Sequence, residues 1–119
     1  MEPKIANSYS TLGLILKEKG KLNQAQCEIE KAIRIEPQFV DGYINLGLVH
    51  KANGKLIEAE MATRKAIEIR DDYADAYLNL GTILQDQGRL EEAEFVTKQA
   101  LAIEPDIADA NMNMGSILR

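Results

Sequence analysis

The chain has 119 residues and a formal net charge of −5. This length is within the size of one domain, and the acidic balance argues against nucleic-acid binding, which needs clustered Lys and Arg. No apolar run approaches the roughly 20 residues that span a bilayer, so no membrane partner is expected. Cys27 is the single cysteine, and a reducing, cytoplasmic location is the simplest interpretation.

A period of 34 residues organises the whole chain. Small residues recur in four columns: Gly13, Gly47, Gly81 and Gly115; Gly20, Gly54 and Gly88; Ala25, Ala59 and Ala93; Ala32, Ala66 and Ala100. Proline recurs at positions 3, 37 and 105, and Asp71 stands where another would fall. A strict period of this size is typical of stacked helical pairs, which bury their apolar surface between neighbouring units.

The predicted elements are helices throughout, in chain order 7–19, 23–36, 41–53, 57–70, 75–87, 91–104 and 109–118. In the third unit, Gly88 is expected to end a helix, because glycine enters the left-handed region at little cost. Pro105 should end the next one, since proline disfavours helix in the residue before it. Gly81 and Ala93 are expected to face each other and let two backbones approach closely.

The two ends of the chain suggest a piece of a longer array, with a complete short protein as the alternative. Glu2-Pro3 precedes Glu36-Pro37 by one period and looks like the end of an earlier unit. The chain stops midway through a fourth unit, so helix 109–118 would lack its mate. Terminal repeats normally carry a polar outer face. This helix would instead leave apolar side chains partly uncovered, so we expect it to self-associate or to pack against a neighbour.

The columns resemble the tetratricopeptide repeat, whose 34-residue pattern has an aromatic residue, Leu-Gly, a second aromatic, Ala, an aromatic and Pro. The first aromatic and the Leu-Gly pair correspond to Tyr9, Tyr43 and Tyr77, and to Leu12-Gly13, Leu46-Gly47 and Leu80-Gly81. The resemblance implies an all-α, right-handed solenoid of helix-turn-helix units. Its repeats would be 6–39, 40–73 and 74–107, followed by the first helix of a truncated fourth unit at 108–119.

Two columns depart from the family pattern. The second aromatic position holds Leu16, His50, Leu84 and Leu118, and the late aromatic position holds Ile29, Thr63 and Thr97. His50 is therefore interpreted as a packed core residue. One His and one Cys cannot build a zinc site, and the sequence offers neither a catalytic triad nor a phosphate-binding loop. We predict no cofactor, no metal and no enzymatic activity.

The phrases DGYINLG, ADAYLNLG and ADANMNMG look most like the arrays of the O-linked N-acetylglucosamine transferase family and related bacterial arrays. In such arrays the first helix of each repeat lines the concave wall. Asn45, Asn79 and Asn113 share one column there, with Thr11 in the first unit. Because an amide offers donors and an acceptor, such a ladder could hold the backbone of an extended peptide. The alternative is that Asn is simply common at this position in generic repeats.

Other residues of the same helices complete the predicted site: Asp41, Asp75, Asp109, Leu48 and Thr82. The aspartates could bind hydroxyl or basic groups of a ligand, or could simply be residues that start helices. The groove does not resemble the carboxylate clamp of chaperone-binding repeats, which uses Lys and Arg.

The function predicted is a protein–protein interaction scaffold that binds an extended peptide or a partner helix in its concave groove. Two alternatives stay open. The chain could be a substrate-presenting, non-catalytic part of a larger glycosyltransferase-like enzyme, or a self-associating structural module.

Overall fold

The computed structural model describes residues 3–106, and within them it contains six α-helices and no strand. In chain order they are α1 Pro3–Glu18, α2 Leu22–Ile35, α3 Val40–Ala52, α4 Leu56–Ile69, α5 Ala74–Asp86 and α6 Leu90–Ile103. Consecutive helices pair as three hairpins, α1 with α2, α3 with α4 and α5 with α6, and each hairpin packs on the next. The all-α repeat solenoid expected from the sequence is confirmed for this part of the chain.

Five of the six helices begin within one residue of their predicted start. The exception is α1, which begins at Pro3 rather than at residue 7, so that prediction was wrong. Proline is well tolerated at the first helical position, where its missing N–H would be unbonded anyway. Pro3 therefore starts a helix, whereas Pro37 lies in the turn after α2. The predicted helix 109–118 lies outside the described residues.

Glycine ends the first helix of each hairpin, as predicted for Gly88. Gly20, Gly54 and Gly88 have φ of +80°, +76° and +79°. After α3, the Gly54 N–H donates to the Lys51 carbonyl at 3.0 Å and the Lys55 N–H donates to the His50 carbonyl at 2.8 Å. These two bonds define a Schellman motif, which satisfies carbonyls that the helix end leaves without partners.

The second helix of each hairpin ends in the same way with or without proline. Glu36, Arg70 and Glu104 follow α2, α4 and α6, and their N–H groups donate to the carbonyls of Ala32, Ala66 and Ala100 at 2.9–3.0 Å. Helix α4 keeps this ending although Asp71 replaces the proline. A local cluster of side chains follows α4 where the other repeats have proline. Arg70 pairs with Asp72 at 3.0 Å and lies 4.8 Å from the centre of the Tyr73 ring.

The interior of each hairpin depends on a glycine in its first helix. A methyl carbon added to Gly81 would lie 2.6 Å from Thr97 Oγ1 and 3.5 Å from the Ala93 carbonyl oxygen. Thr97 in turn donates a hydrogen bond to that carbonyl at 2.7 Å. The predicted close approach of Gly81 and Ala93 is confirmed, because a side chain at Gly81 would touch the Ala93 carbonyl and collide with Thr97 on the facing helix.

The three hairpins are stacked so that their first helices lie on the inside of a curve. Helix α3 contacts both α1 and α5, whereas the second helices α2, α4 and α6 have no comparable contact with one another in residues 3–106. A buried cluster of Ile44, Ala66 and Ala76 joins the second and third hairpins. We call the surface shared by α1, α3 and α5 the inner wall.

Candidate peptide-binding wall

The structure places the described part of the predicted site on the three helices of the inner wall. Thr11 lies on α1; Asp41, Asn45 and Leu48 lie on α3; Asp75, Asn79 and Thr82 lie on α5. Thr11, Asp41 and Asp75 are exposed, and the other four are half-buried. Asn113 and Asp109 lie outside the described residues. The described candidates are therefore all accessible to a ligand, in part or fully, on helices that contact each other.

The two described asparagines differ in their hydrogen bonding. Asn45 Nδ2 donates to Ser10 Oγ of α1 at 2.5 Å. Asn79 has no side-chain hydrogen bond within residues 3–106, because the residue that corresponds to Ser10 there is Ile44. An amide has two N–H donors and a carbonyl acceptor, so Asn45 keeps part of its capacity and Asn79 keeps all of it.

The middle of the inner wall combines aliphatic and hydroxyl side chains. Leu48 is half-buried, as is Leu14 at the same position of the first hairpin. The corresponding residue of the third hairpin is Thr82, which donates a hydrogen bond to the Asn79 carbonyl at 2.8 Å. This bond uses the Thr82 proton, so the hydroxyl faces a ligand mainly as an acceptor.

One edge of the inner wall carries negative charge. The Tyr73 hydroxyl donates to Asp41 Oδ1 at 3.0 Å. Burial, the hydrogen bond to Asp41 and the charges of Asp41 and Asp75 together raise the pKa of Tyr73 to about 12. Tyr73 is therefore neutral at any physiological pH and remains a hydrogen-bond donor.

The helix-start interpretation of the aspartates holds only in part. The residues that precede α3 and α5 are Phe39 and Tyr73, and neither helix start has a side-chain capping hydrogen bond. Asp41 and Asp75 lie one residue inside the first turn. They can stabilise the positive end of the helix dipole, but they do not cap the helix.

The opposite edge of the inner wall carries lysines that are already paired. Lys51 Nζ lies 3.8 Å from Asp86 Oδ2 of the next hairpin, and Lys17 Nζ lies 3.5 Å from Glu18 Oε1. Both side chains are largely shielded, with exposed fractions of 31% and 25%. The wall therefore changes from acidic at one edge to charge-paired at the other.

Sequence reasoning missed two participants, Ser10 and Tyr73. Ser10 stands in a column that Ile44 and Leu78 otherwise fill, and a buried hydroxyl in an apolar column was a signal that a neighbouring polar group must satisfy it. Tyr73 corresponds to Phe39 and differs from it by the hydroxyl that reaches Asp41. Within residues 3–106, no group of three or more His, Cys, Asp or Glu could hold a metal ion. Nor does any helix in that range have the length and apolarity to cross a bilayer.

Family models agree with this architecture. A tetratricopeptide repeat model matches residues 40–105, and a second model of the same repeat matches residues 13–54. The chain belongs to the tetratricopeptide repeat family. No curated protein matches it.

Solved structures of other tetratricopeptide repeat domains have the same fold. The first such domain of Spaghetti (RPAP3), bound to the HSP90 peptide SRMEEVD, superimposes with a TM-score of 0.87 at 21% identity, covering 98% of this chain and 93% of that one. The second domain of human RPAP3, in complex with the HSP70 peptide SGPTIEEVD, gives 0.85 at 24% identity, with 99% of each chain covered. The Arabidopsis OM64 domain gives 0.87 at 22% identity, covering 96% of this chain and 94% of that one.

Proposed function

We propose that this protein is a non-catalytic interaction scaffold that binds an extended peptide of a partner protein along its inner wall. One observation carries the proposal: Asn79 presents an amide with no side-chain partner in residues 3–106, on a wall that also exposes Thr11 and holds Asn45 at the same repeat position. Such an amide can bind a backbone C=O and N–H together, whatever the ligand's side chains.

The spacing of the wall suits an extended ligand. Packed helices lie roughly 8–10 Å apart, and three residues of extended chain cover about 10 Å. One amide in each repeat would therefore meet the peptide about every third residue. The same arrangement is implied by the resemblance to the transferase-like arrays, so presentation of a substrate segment within a longer enzyme is one setting in which this wall could act.

Because of the charge of the inner wall, we expect this protein to prefer a different peptide from those bound by its structural neighbours. The HSP90 and HSP70 peptides bound by the RPAP3 domains end in Glu-Glu-Val-Asp. Here Asp41 and Asp75 are exposed at one edge, and Lys51 is paired with Asp86. Like charges repel an acidic peptide, so we expect a neutral or basic peptide to bind better than SRMEEVD.

The first experiment selects extended 12-residue peptides from a random array and measures the affinity of the best one by fluorescence anisotropy. Asn79→Ala should weaken binding at least tenfold, and Asn45→Ala should weaken it less, because Asn45 already donates to Ser10. The matched control is Asn23→Ala, which removes an exposed amide from the second helix α2. Its affinity should stay unchanged.

The melting temperatures of Asn79→Ala and Asn23→Ala should stay within a few degrees of the wild type, since neither side chain is fully buried. Asn45→Ala should melt at a lower temperature, because it leaves the buried Ser10 hydroxyl without its partner. If Asn79→Ala and Asn23→Ala bind the selected peptide equally well, the inner wall is not the peptide site. Equal or tighter binding of SRMEEVD would contradict the expected charge preference but leave the wall in place.

A further inference from the structure

A second groove lies away from the inner wall, between the second helices α4 and α6. It has a volume of about 410 Å³. Tyr77 and Leu80 of α5 form its floor, and its walls include Ile67 of α4 and Phe95 and Val96 of α6. We call this surface the outer groove. Tyr77 and Leu80 belong to α5, but no residue of this groove is among the side chains proposed to bind peptide.

Phe95 stands at the mouth of the outer groove with 64% of its surface exposed. The corresponding residue of the second hairpin, Met61, is 67% exposed and lines the equivalent surface beside Tyr43 and Leu46. Single exposed apolar residues are ordinary on a protein surface. An exposed aromatic that continues an apolar floor is different, because such patches mark interaction sites and aromatic residues dominate their energetics.

The walls of the outer groove are held in place without a ligand. Arg89, which precedes α6, pairs with Glu60 of α4 and with Glu92 of α6, both at 2.8 Å. Arg64 of α4 pairs with Glu60 at 2.9 Å and lies 4.0 Å from Glu92 across the groove. A groove that is formed in advance loses less freedom when it binds.

The remaining charge of the groove selects its occupant. Arg64 and Glu92 pair with their neighbours, so Glu91 is the lining charge without an ion pair among the described residues. The whole chain also carries a net charge of −5. A partner with Lys or Arg beside its apolar contact would complement this surface.

The lining also favours a helix over an extended chain. Apart from Arg64, Glu91, Glu92 and Gln99, the groove presents apolar and aromatic side chains. It offers no row of amides for the backbone of an extended peptide. A helix satisfies its own backbone hydrogen bonds and lays an apolar stripe into such a groove.

We propose that the outer groove binds an amphipathic helix of a partner protein, with an apolar stripe on Phe95, Tyr77 and Ile67 and basic residues beside Glu91. This site is independent of peptide binding at the inner wall. The two surfaces would let one small scaffold hold two partners, one extended and one helical.

The test uses a synthetic helix of about 18 residues, or five turns, with leucines at i, i+3, i+4 and i+7 and lysines elsewhere. A matched helix carries glutamate in place of lysine. Both are titrated into the isotope-labelled 119-residue chain and followed by NMR chemical shifts. The lysine helix should shift resonances of α4, α5 and α6 around the outer groove, and the glutamate helix should bind at least tenfold more weakly.

Three variants sharpen the result. Phe95→Ser should weaken the lysine helix at least tenfold, and Glu91→Gln should weaken it about twofold to threefold with a smaller salt dependence. Ile15→Ser is the control, because it removes another exposed aliphatic side chain, 52% exposed on α1, and should change nothing. Asn79→Ala should also leave helix binding unchanged, which separates this site from the inner wall.

Several results would overturn the proposal. They are equal binding of the two helices, shifts confined to α1 and α3, or an affinity that Phe95→Ser leaves intact. A dimer of the protein alone that dissociates in Phe95→Ser, seen by sedimentation, would assign the groove to a second copy instead. If Phe95→Ser does not fold by circular dichroism, the Glu91→Gln salt dependence and the shift map decide between these outcomes.

Discussion

The contacts inside a hairpin and the contacts between hairpins are made of different chemistry. Inside the hairpins, the two helices meet at a glycine: the Thr63 side chain lies against Gly47 and the Thr97 side chain lies against Gly81. Between the hairpins, the contacts combine small apolar clusters with polar links that do not repeat from one junction to the next. These links include Asn45–Ser10 at 2.5 Å, Tyr73–Asp41 at 3.0 Å, Gln87 to the Leu56 carbonyl at 3.3 Å, and Arg89–Glu60 at 2.8 Å.

This difference shows which part of the fold can vary. The glycine and alanine columns keep each hairpin the same, so the unit itself is interchangeable. The links between units occupy columns whose residues change, such as Ser10, Ile44 and Leu78. Each junction therefore has its own set of hydrogen bonds, and the relative placement of inner-wall side chains depends on it. Substitutions at the two kinds of contact should therefore differ in their effect on stability and in its sensitivity to salt and pH.

The largest effect is expected inside a hairpin, for Gly81→Leu. Its first side-chain carbon would lie 2.6 Å from Thr97 Oγ1, and overpacking of this kind costs about 1–3 kcal/mol. Urea denaturation should show that loss in the free energy of unfolding. Ala102→Leu adds the same side chain at an exposed position of α6 and should change stability by less than about 0.5 kcal/mol. Equal effects at both positions would mean that close packing at Gly81 does not limit stability.

Contacts inside the hairpins were largely predictable from the sequence, and contacts between them were not. Glycine at position 88 and its equivalents indicates a positive φ from the sequence alone, and the helix ends were predicted to within one residue. The start of α1 was predicted wrongly because proline, here Pro3, suits both the first turn of a helix and the segment after one. The Asn45–Ser10 bond could not be predicted, since it joins residues 35 positions apart and depends on how one hairpin sits on the next.

Threonine at the late aromatic position also makes a contact that the repeat pattern did not predict. In the sequence, Thr63 and Thr97 depart from the aromatic residue of the family pattern. In the structure both are buried and donate to the carbonyls of Ala59 and Ala93 at 2.8 and 2.7 Å. Periodicity identifies a core position, but it does not show that a buried hydroxyl has an acceptor one turn earlier on the same helix.

An intermediate effect is expected for His50, which interrupts a column of leucines in the interior of the hairpins. It is buried, in a column with Leu16 and Leu84, and its Nδ1 is the one buried side-chain polar atom in the described residues that has no hydrogen-bond partner. Burial lowers the pKa of His50 below its usual 6.5, and nearby Lys55 lowers it while Glu58 and Glu30 raise it.

Because the folded pKa is depressed, the unfolded chain takes up the proton first as the pH falls. The free energy of unfolding should therefore be highest above pH 7 and should decrease as the pH falls through and below 6.5. His50→Leu should remove this dependence and raise stability at pH 6 by about 1–2 kcal/mol, because an unsatisfied buried group disappears. Leu84→His is the matched reversal and should introduce the same pH dependence into the third hairpin. A wild-type stability that stays flat from pH 7.5 to 5.5 would contradict the assignment.

The smallest effect is expected between hairpins, for Glu60→Gln. Glu60 is 16% exposed and accepts hydrogen bonds from Arg64, Gln87 and Arg89. Burial raises the pKa of Glu60, but these hydrogen bonds outweigh it and hold the pKa below its usual 4.5. The carboxylate therefore stabilises the fold above the unfolded pKa, and that contribution is lost as the pH falls below about 4.5.

At pH 7, Glu60→Gln should cost about 0.5–1 kcal/mol, because its cationic partners are partly exposed, and 1 M salt should shrink the difference. The same column offers a control in Glu94, whose pairing with Lys98 at 3.5 Å stays within one helix. Glu94→Gln should change stability by no more than about 0.3–0.5 kcal/mol. If the two variants lose equal stability, the charges that join the second and third hairpins contribute no more than an ordinary pair on a helix surface. The stacking would then depend on the apolar cluster around Ala66 instead.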